Sequence, residues 1–233
     1  MKYDYLPLTN IKMIHVDNSY SFGIDSILLS NFSKMKKNSI LIDIGAGSGV
    51  LSLLCNELYD LKKVHAVEIQ KNKAKLLKNN IINNNIDNIN IINEDINSVK
   101  DIFAENSIDY IIANPPYYKK DENIKNKSEE FNISRKEIFL DLDDIFNFAK
   151  AKLKDRAKLY MIHKPERLYD IFTKCKIMKP KRLKFIHSKD REKPKLVLIE
   201  FIKNAKDGLL IEDPIIIYEN GDYTSQIKEI YGL

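Results

Sequence analysis

The chain has 233 residues, 44% of them hydrophobic and 30% charged, with a formal net charge of +5 at pH 7. This is the composition of one large globular domain; it excludes a disordered chain, a collagen-like repeat and a membrane bundle, because no apolar run approaches the length of a bilayer span. Met1 to Asn10 lacks the apolar centre of a signal peptide, which points to the cytoplasm. Cys55 and Cys175 are then expected as thiols, and no Cys or His spacing suggests a metal site.

Residues 1–39 read as a cap segment ahead of the first strong signal, the buried strand Ile40–Ile44, which ends at glycines. Ser48–Leu58 follows with helical spacing, then the strand Val64–Val67 and the polar helix Lys71–Asn84. A third strand lies around Asn90, and Asp109–Ala113 is a fourth. Residues 118–137 form a polar stretch without an apolar period, the kind of long loop that usually serves function. Leu140–Leu153 is an amphipathic helix, and Ala157–Ile162 is a fifth strand. Strands alternating with helices of this length make βαβ units around a parallel sheet. The end differs: Arg182–His187 and Leu196–Ile202 are joined without a helix, so an antiparallel hairpin joins the sheet edge. The expected fold is α/β, a seven-stranded, mostly parallel sheet with helices on both faces. It is organised as one domain over 1–233, with a core at 40–163 and a C-terminal helix, hairpin and tail at 164–233.

Charge concentrates near that hairpin. From Lys176 to Lys195, nine basic residues face only Asp190 and Glu192. A local basic field suggests a polyanionic partner, nucleic acid above all. Lys-rich and Ile-rich composition throughout the chain is the plainer explanation.

Chemistry is concentrated at the strand ends. Asp43-Ile-Gly-Ala-Gly-Ser-Gly49 follows a strand and opens a helix, so Gly45, Gly47 and Gly49 let backbone approach a ligand closely. Its spacing is not that of dinucleotide binders. Glu68 ends the second strand, where an acid can accept both hydroxyls of a ribose; Asp95 lies just past the third, where a carboxylate can meet the amine of adenine. Together they describe a nucleoside-bearing cofactor lying across the sheet edge. At the end of the fourth strand stands Asn114-Pro115-Pro116-Tyr117. Consecutive prolines stop the strand and hold the Asn side chain and Asn–Pro carbonyls as a rigid set of acceptors. Such acceptors suit a planar amine, whose delocalised lone pair becomes more nucleophilic when its N–H groups are held. Tyr117 offers a flat face for an extruded base.

With these motifs the chain resembles the class I S-adenosylmethionine-dependent methyltransferases that methylate a planar nitrogen. Nearly end to end it is similar to the bacterial tRNA1(Val) adenine-37 N6-methyltransferase family. The carrying segments are Tyr20–Leu29, Arg135–Glu137, His163–Leu168, Pro180–Leu183 and Gly221–Thr224. The chain departs from the family at Lys136, where a histidine is common, and at Lys154-Asp-Arg156, where a Gly-Gly turn is common. The resemblance implies the Rossmann-like class I methyltransferase fold and S-adenosylmethionine as cofactor. It implies that Glu68 binds the cofactor ribose, that Asp95 binds its adenine, that the backbone of Gly45, Ala46, Gly47 and Gly49 holds its amino-acid end, and that Asp43, Ile69, Ile96 and Asn114 also belong to the cofactor site. Phe22 and Asp25 would close the pocket; their other reading is a core residue and a helix cap. Asn114 and the Pro115 carbonyl would hold the adenine N6 and Tyr117 would stack on the base. The partner would be a tRNA anticodon loop, already single-stranded and so cheaper to open than a duplex. The enzyme would use no metal and act as a monomer or weak dimer.

Release-factor glutamine methyltransferases share the Asn-Pro-Pro-Tyr chemistry but carry a helical domain in front, and only residues 1–39 precede the core here. DNA adenine methyltransferases usually need a target-recognition domain, and little chain remains after Ile162. Ribosomal RNA is a further possible substrate. A non-catalytic RNA-binding module would show decay at Asn114 or the glycine loop, and both are intact.

Overall fold

The structure, a computed structural model, describes residues 3–14, 23–117 and 140–233. Phe22, the start of the Tyr20–Leu29 segment, Arg135–Glu137 and the loop after Tyr117 lie outside the described residues. β1 (Tyr3–Tyr5) and β2 (Lys12–Ile14) pair as a small hairpin, followed by α1 (Ile24–Phe32). Then come β3 (Ile40–Ile44), α2 (Val50–Tyr59), β4 (Lys63–Val67), α3 (Lys71–Asn83), β5 (Ile89–Ile92) and β6 (Ile108–Ala113). The remainder is α4 (Leu142–Lys152), β7 (Leu153–His163), α5 (Leu168–Lys174), β8 (Met178–His187), β9 (Leu196–Lys203) and β10 (Leu210–Ile216). A last hairpin, β11 (Tyr218–Glu219) and β12 (Asp222–Tyr223), leads into α6 (Ser225–Tyr231).

The central sheet has the order β10-β8-β9-β7-β6-β3-β4-β5. Only β9 runs against the others. Successive strand residues point to opposite faces. Leu41, Tyr110, Ile112, Tyr160 and Ile162 join one core with α1, α2, α3 and α6; Ile42, Ile44, Ile111, Leu159 and Met161 join the other with α4 and α5. The mostly parallel sheet with helices on both faces is as expected.

Three expectations are corrected. The sheet has eight strands, not seven, because the run at Leu210–Ile216 pairs parallel with β8. Pro214 interrupts that run, which argues against a strand from sequence; here it sits at a register shift on an edge strand, where its missing N–H costs little. The hairpin therefore does not form the sheet edge: β9 lies inside, between β7 and β8. β7 also begins at Leu153 rather than Ala157, since Leu153 pairs with Ile108 and the exposed residues between them bulge, with Arg156 at φ 62°.

Strand order reverses between β3 and β6, which neighbour each other although β4 and β5 separate them in sequence. A crevice opens at the carboxyl ends of strands at such a switch point. β3 delivers the glycine loop to it and β6 delivers Asn114. Gly49 opens α2 at φ +95°, and a Cβ there would stand 2.2 Å from Leu77 Cδ1 of α3, so glycine lets these helices approach. The low-complexity Asn segment is structural. Asn80 Oδ1 accepts the Ile14 N–H at 2.9 Å, its amide donates to the Ser48 carbonyl at 3.0 Å, and Asn84 makes a reciprocal pair with the backbone of Lys12. Asn80 of α3 and Asn84, which caps its C-terminus, thus hold β2 as a neighbouring strand would.

Candidate active site

A cleft of about 230 Å³ lies at the switch point. Gly45, Glu68, Ile69, Asp95, Ile96, Asn114 and Pro115 line it, together with Gln70, Lys73, Leu140 and Asp144 from outside the sequence motifs. Ends of β3, β4 and β6 and the turn after β5 therefore converge as the motif order requires.

Glu68 is buried, and its two oxygens each accept a backbone N–H, from Gly47 and from Gln70, both at 2.7 Å. Each carboxylate oxygen retains a lone pair, so Glu68 is a fixed acceptor pair oriented by the glycine loop. Asp95 is oriented likewise, its Oδ1 accepting the Asn97 N–H at 2.7 Å. The loop N–H groups are committed internally: Gly45 and Ala46 donate to the Val67 carbonyl at 2.9 and 3.0 Å, and Gly49 to the Ala46 carbonyl at 2.9 Å. Gly47 has φ +59° and no atom within 4 Å of a built Cβ, so the loop faces open space there.

Asp43 is not in the cleft lining. It lies fully buried beneath the loop, with Oδ2 accepting from Ser52 Oγ at 2.6 Å and Oδ1 without a partner among the described atoms. Burial pushes its pKa up to about 7; the Ser52 hydrogen bond opposes this and the nearby Glu68 charge adds to it. Ala46, Gly47 and Gly49 shape the loop without lining the cleft.

Asn114 Nδ2 donates to Ser26 Oγ at 3.3 Å. The Tyr117 hydroxyl donates to Asp25 Oδ2 at 2.5 Å and reaches Asn114 Oδ1 at 3.1 Å. Ser26 thus braces Asn114 directly and Asp25 does so through the Tyr117 hydroxyl, and Asp25 itself is not in the cleft lining. Burial and the Asp25 carboxylate push the Tyr117 phenol up, keeping it protonated. Its ring meets His163 edge-on, centroids 5.6 Å apart. His163 is buried at the end of β7, its Nδ1 accepting the Lys164 N–H at 2.8 Å, and burial with the Arg167 and Lys164 charges lowers its pKa to about 4. A neutral imidazole therefore packs against the Tyr117 ring. Sequence reasoning gave His163 and Ser26 no role; both lie in segments that carried the family resemblance, which was the available signal.

The basic stretch divides in two. Arg182 is ion-paired to Glu200 and Glu212 at 2.9 and 2.7 Å and lies over the Phe32 ring; Lys184 reaches Glu212 at 3.5 Å and Lys179 reaches Asp207 at 2.9 Å. Those cations belong to the sheet. Lys189, Arg191, Lys193 and Lys195 are exposed in the connector after β8. Because β8 runs parallel to β3 and β6 through β7 and β9, that connector lies at the same sheet edge as Asn114. Among the described residues no helix is long and apolar enough to cross a membrane, and no cluster of His, Cys, Asp and Glu could hold a metal ion.

The model of the methyltransferase small domain family matches residues 22–181. The chain is 25% identical to the tRNA1(Val) (adenine(37)-N6)-methyltransferase of Phocaeicola vulgatus over 97% of both chains. It is 26% identical to the enzyme of the same name from Haemophilus influenzae over 94% of both. In fold it is similar to Atu636 of Agrobacterium tumefaciens, described as a predicted O-methyltransferase, with a TM-score of 0.71 and 18% identity, covering 89% of this chain and 95% of that one.

Proposed function

The chain belongs to the methyltransferase small domain family, and from that membership we propose that it methylates the exocyclic N6 of an adenine in tRNA, at position 37 of a valine tRNA. The chain is an S-adenosylmethionine-dependent methyltransferase; the tRNA assignment takes its support from relatives that match nearly end to end. We place its action in the cytoplasm, as one unit spanning 1–233, monomeric or weakly dimeric. The observation that carries the reading is that Asn114 and Pro115 share one cleft with the two oriented carboxylates, Glu68 and Asp95.

The residues present fit the cofactor. Glu68 offers two fixed acceptors for a ribose diol, Ile69 and Ile96 offer apolar walls for a flat base, and Asp95 an acceptor for its amine. Since the loop N–H groups of Gly45, Ala46, Gly47 and Gly49 are already spent, an amino-acid ammonium would meet carbonyl acceptors there, above the unpaired Oδ1 of Asp43. When bound, S-adenosylmethionine supplies an electrophilic methyl group on a sulfonium.

Asn114 Oδ1 and the Pro115 carbonyl accept the N–H groups of the target amine and keep its lone pair directed at the incoming carbon, preorganised electrostatic stabilisation with a proximity contribution. Because Tyr117 lies against Asn114 Oδ1, the base enters by taking that acceptor over from the hydroxyl. Tyr117 then serves through its ring, supported by His163 behind it. Neutral carbonyls cannot retain a proton, so the proton released on methylation passes to water.

Labelled-methyl transfer to total tRNA, genomic DNA and release factor tests the reading. The expected result is N6-methyladenosine in tRNA alone. Asn114→Ala lowers kcat about 10²–10³-fold while the cofactor Kd stays within about threefold. Label in DNA or release factor, or an Asn114→Ala protein with full activity, rejects it.

A further inference from the structure

The sheet edge that carries Asn114 has a second concavity. β8 and β10 are parallel, so both end at this edge, and the chain beyond them is knitted together: the Ile217 N–H donates to the His187 carbonyl at 3.0 Å and the Tyr218 N–H to the Ser188 carbonyl at 2.9 Å. Between the connector and the β11–β12 hairpin lies a groove of about 730 Å³, with Lys189, Asp190, Tyr218, Glu219, Asn220 and Gln226 among its lining.

Three tyrosines stack behind it. Tyr218 and Tyr223 have ring centroids 5.3 Å apart at 15°, and Tyr223 and Tyr231 5.6 Å apart at 21°. Of the three only Tyr218 lines the groove, and it is 40% exposed. It is the open end of the stack. The other end, Tyr231, lies on α6, which packs against α1, the helix that carries Asp25, and Asp25 holds Tyr117. An ordered ring that already has one partner offers a stacking platform at little further entropy cost.

The rim is polar. Asp190 and Glu219 are acceptors, Lys189 is a donor, and Asn220 and Gln226 each carry both an amide carbonyl and an amide NH2, so the rim can meet the edge of an unpaired base. Asp190 is itself paired with Arg191 at 3.5 Å, and Lys193 and Lys195 stand exposed in the adjoining connector for the backbone.

We propose that this groove holds a second unstacked base of the RNA substrate, close to the target adenine and stacked on Tyr218. The proposal rests on the tRNA reading given above. The test is steady-state methyl transfer to an unmodified valine tRNA transcript by the wild type, Tyr218→Phe and Tyr218→Ala. Tyr218→Ala is expected to raise KM for tRNA about tenfold with kcat within about twofold, and Tyr218→Phe to match the wild type. An abasic site placed singly at each loop nucleotide near the target should raise the wild-type KM at one position, with no further increase there in Tyr218→Ala. An unchanged KM in Tyr218→Ala, or equal loss in Tyr218→Phe, overturns the groove assignment while leaving the tRNA reading intact. A wild type that methylates no tRNA overturns the tRNA reading and this one with it.

Discussion

Asp43 and His163 are both buried beside the cleft, and they titrate in opposite senses. Asp43 is raised by burial to about 7 from 3.8, so the folded state binds more protons than the unfolded chain between those values. Its contribution to stability is full at low pH and is lost as pH rises through about 7. His163 is lowered by burial to about 4 from 6.5, so its contribution is present above 6.5 and is lost as pH falls through about 4. Between about pH 4 and 6.5 the two slopes oppose each other. Urea melts across that window are expected to be nearly flat for these two groups in the wild type, to rise with pH in Asp43→Asn, and to fall with pH in His163→Gln. Parallel slopes in the two variants would reject the assignment. The sequence shows Asp43 only as part of a glycine motif and suggests a ligand contact; burial under the loop and pairing with Ser52 depend on α2 packing over β3.

At the scale of elements, the strands and helices whose apolar period is clean stand where they were expected: β3 matches at both ends and α3 to one residue. The misplaced elements are those whose signal is interrupted or lies elsewhere in the chain. β10 is broken by Pro214, and β1 and β2 are three residues each, too short for a period. The latter pair is secured by Asn80 and Asn84, so α3 does work that its Asn-rich sequence does not advertise. Asn80 is fully buried, and removing its amide strands the Ile14 N–H and the Ser48 carbonyl. Asn80→Ala is expected to cost about 1–3 kcal/mol in denaturant melts, with early loss of amide protection at Ile14. Asn84→Ala, at a half-buried site, should cost less. Equal or negligible costs for both would show that the asparagines do not secure β2.

For the molecule as a whole, net charge is a poor guide to where a polyanion docks. The basic residues cluster in sequence at Lys176–Lys195, but Arg182 and Lys184 are consumed by Glu200 and Glu212 across the sheet. The exposed remainder, Lys189, Arg191, Lys193 and Lys195, sits at the edge shared with Asn114 because β8 is parallel to the core strands. If that connector tracks the RNA backbone, tRNA affinity should fall steeply with salt. Replacing Lys193 and Lys195 together by Gln should reduce the slope of log K against log salt by roughly 0.7 for each phosphate no longer neutralised, with kcat for saturating tRNA unchanged. An unaltered slope would place the RNA elsewhere.

What the sequence determines by itself is local. Glycines that need positive φ, two prolines that stop a strand, and acids at the ends of apolar runs each impose their geometry through neighbouring backbone. The order of strands and the chemistry of their ends are therefore readable along the chain. What only the tertiary structure decides is which distant groups meet: Asp25 on Tyr117, Ser26 on Asn114, Asn80 on Ile14, Tyr218 on Tyr223 and Tyr231. Those contacts follow from sheet order and helix packing, and burial then alters the charge state of Asp43 and His163. No periodicity encodes them, because each depends on desolvation and on a partner brought close only when the whole sheet has formed.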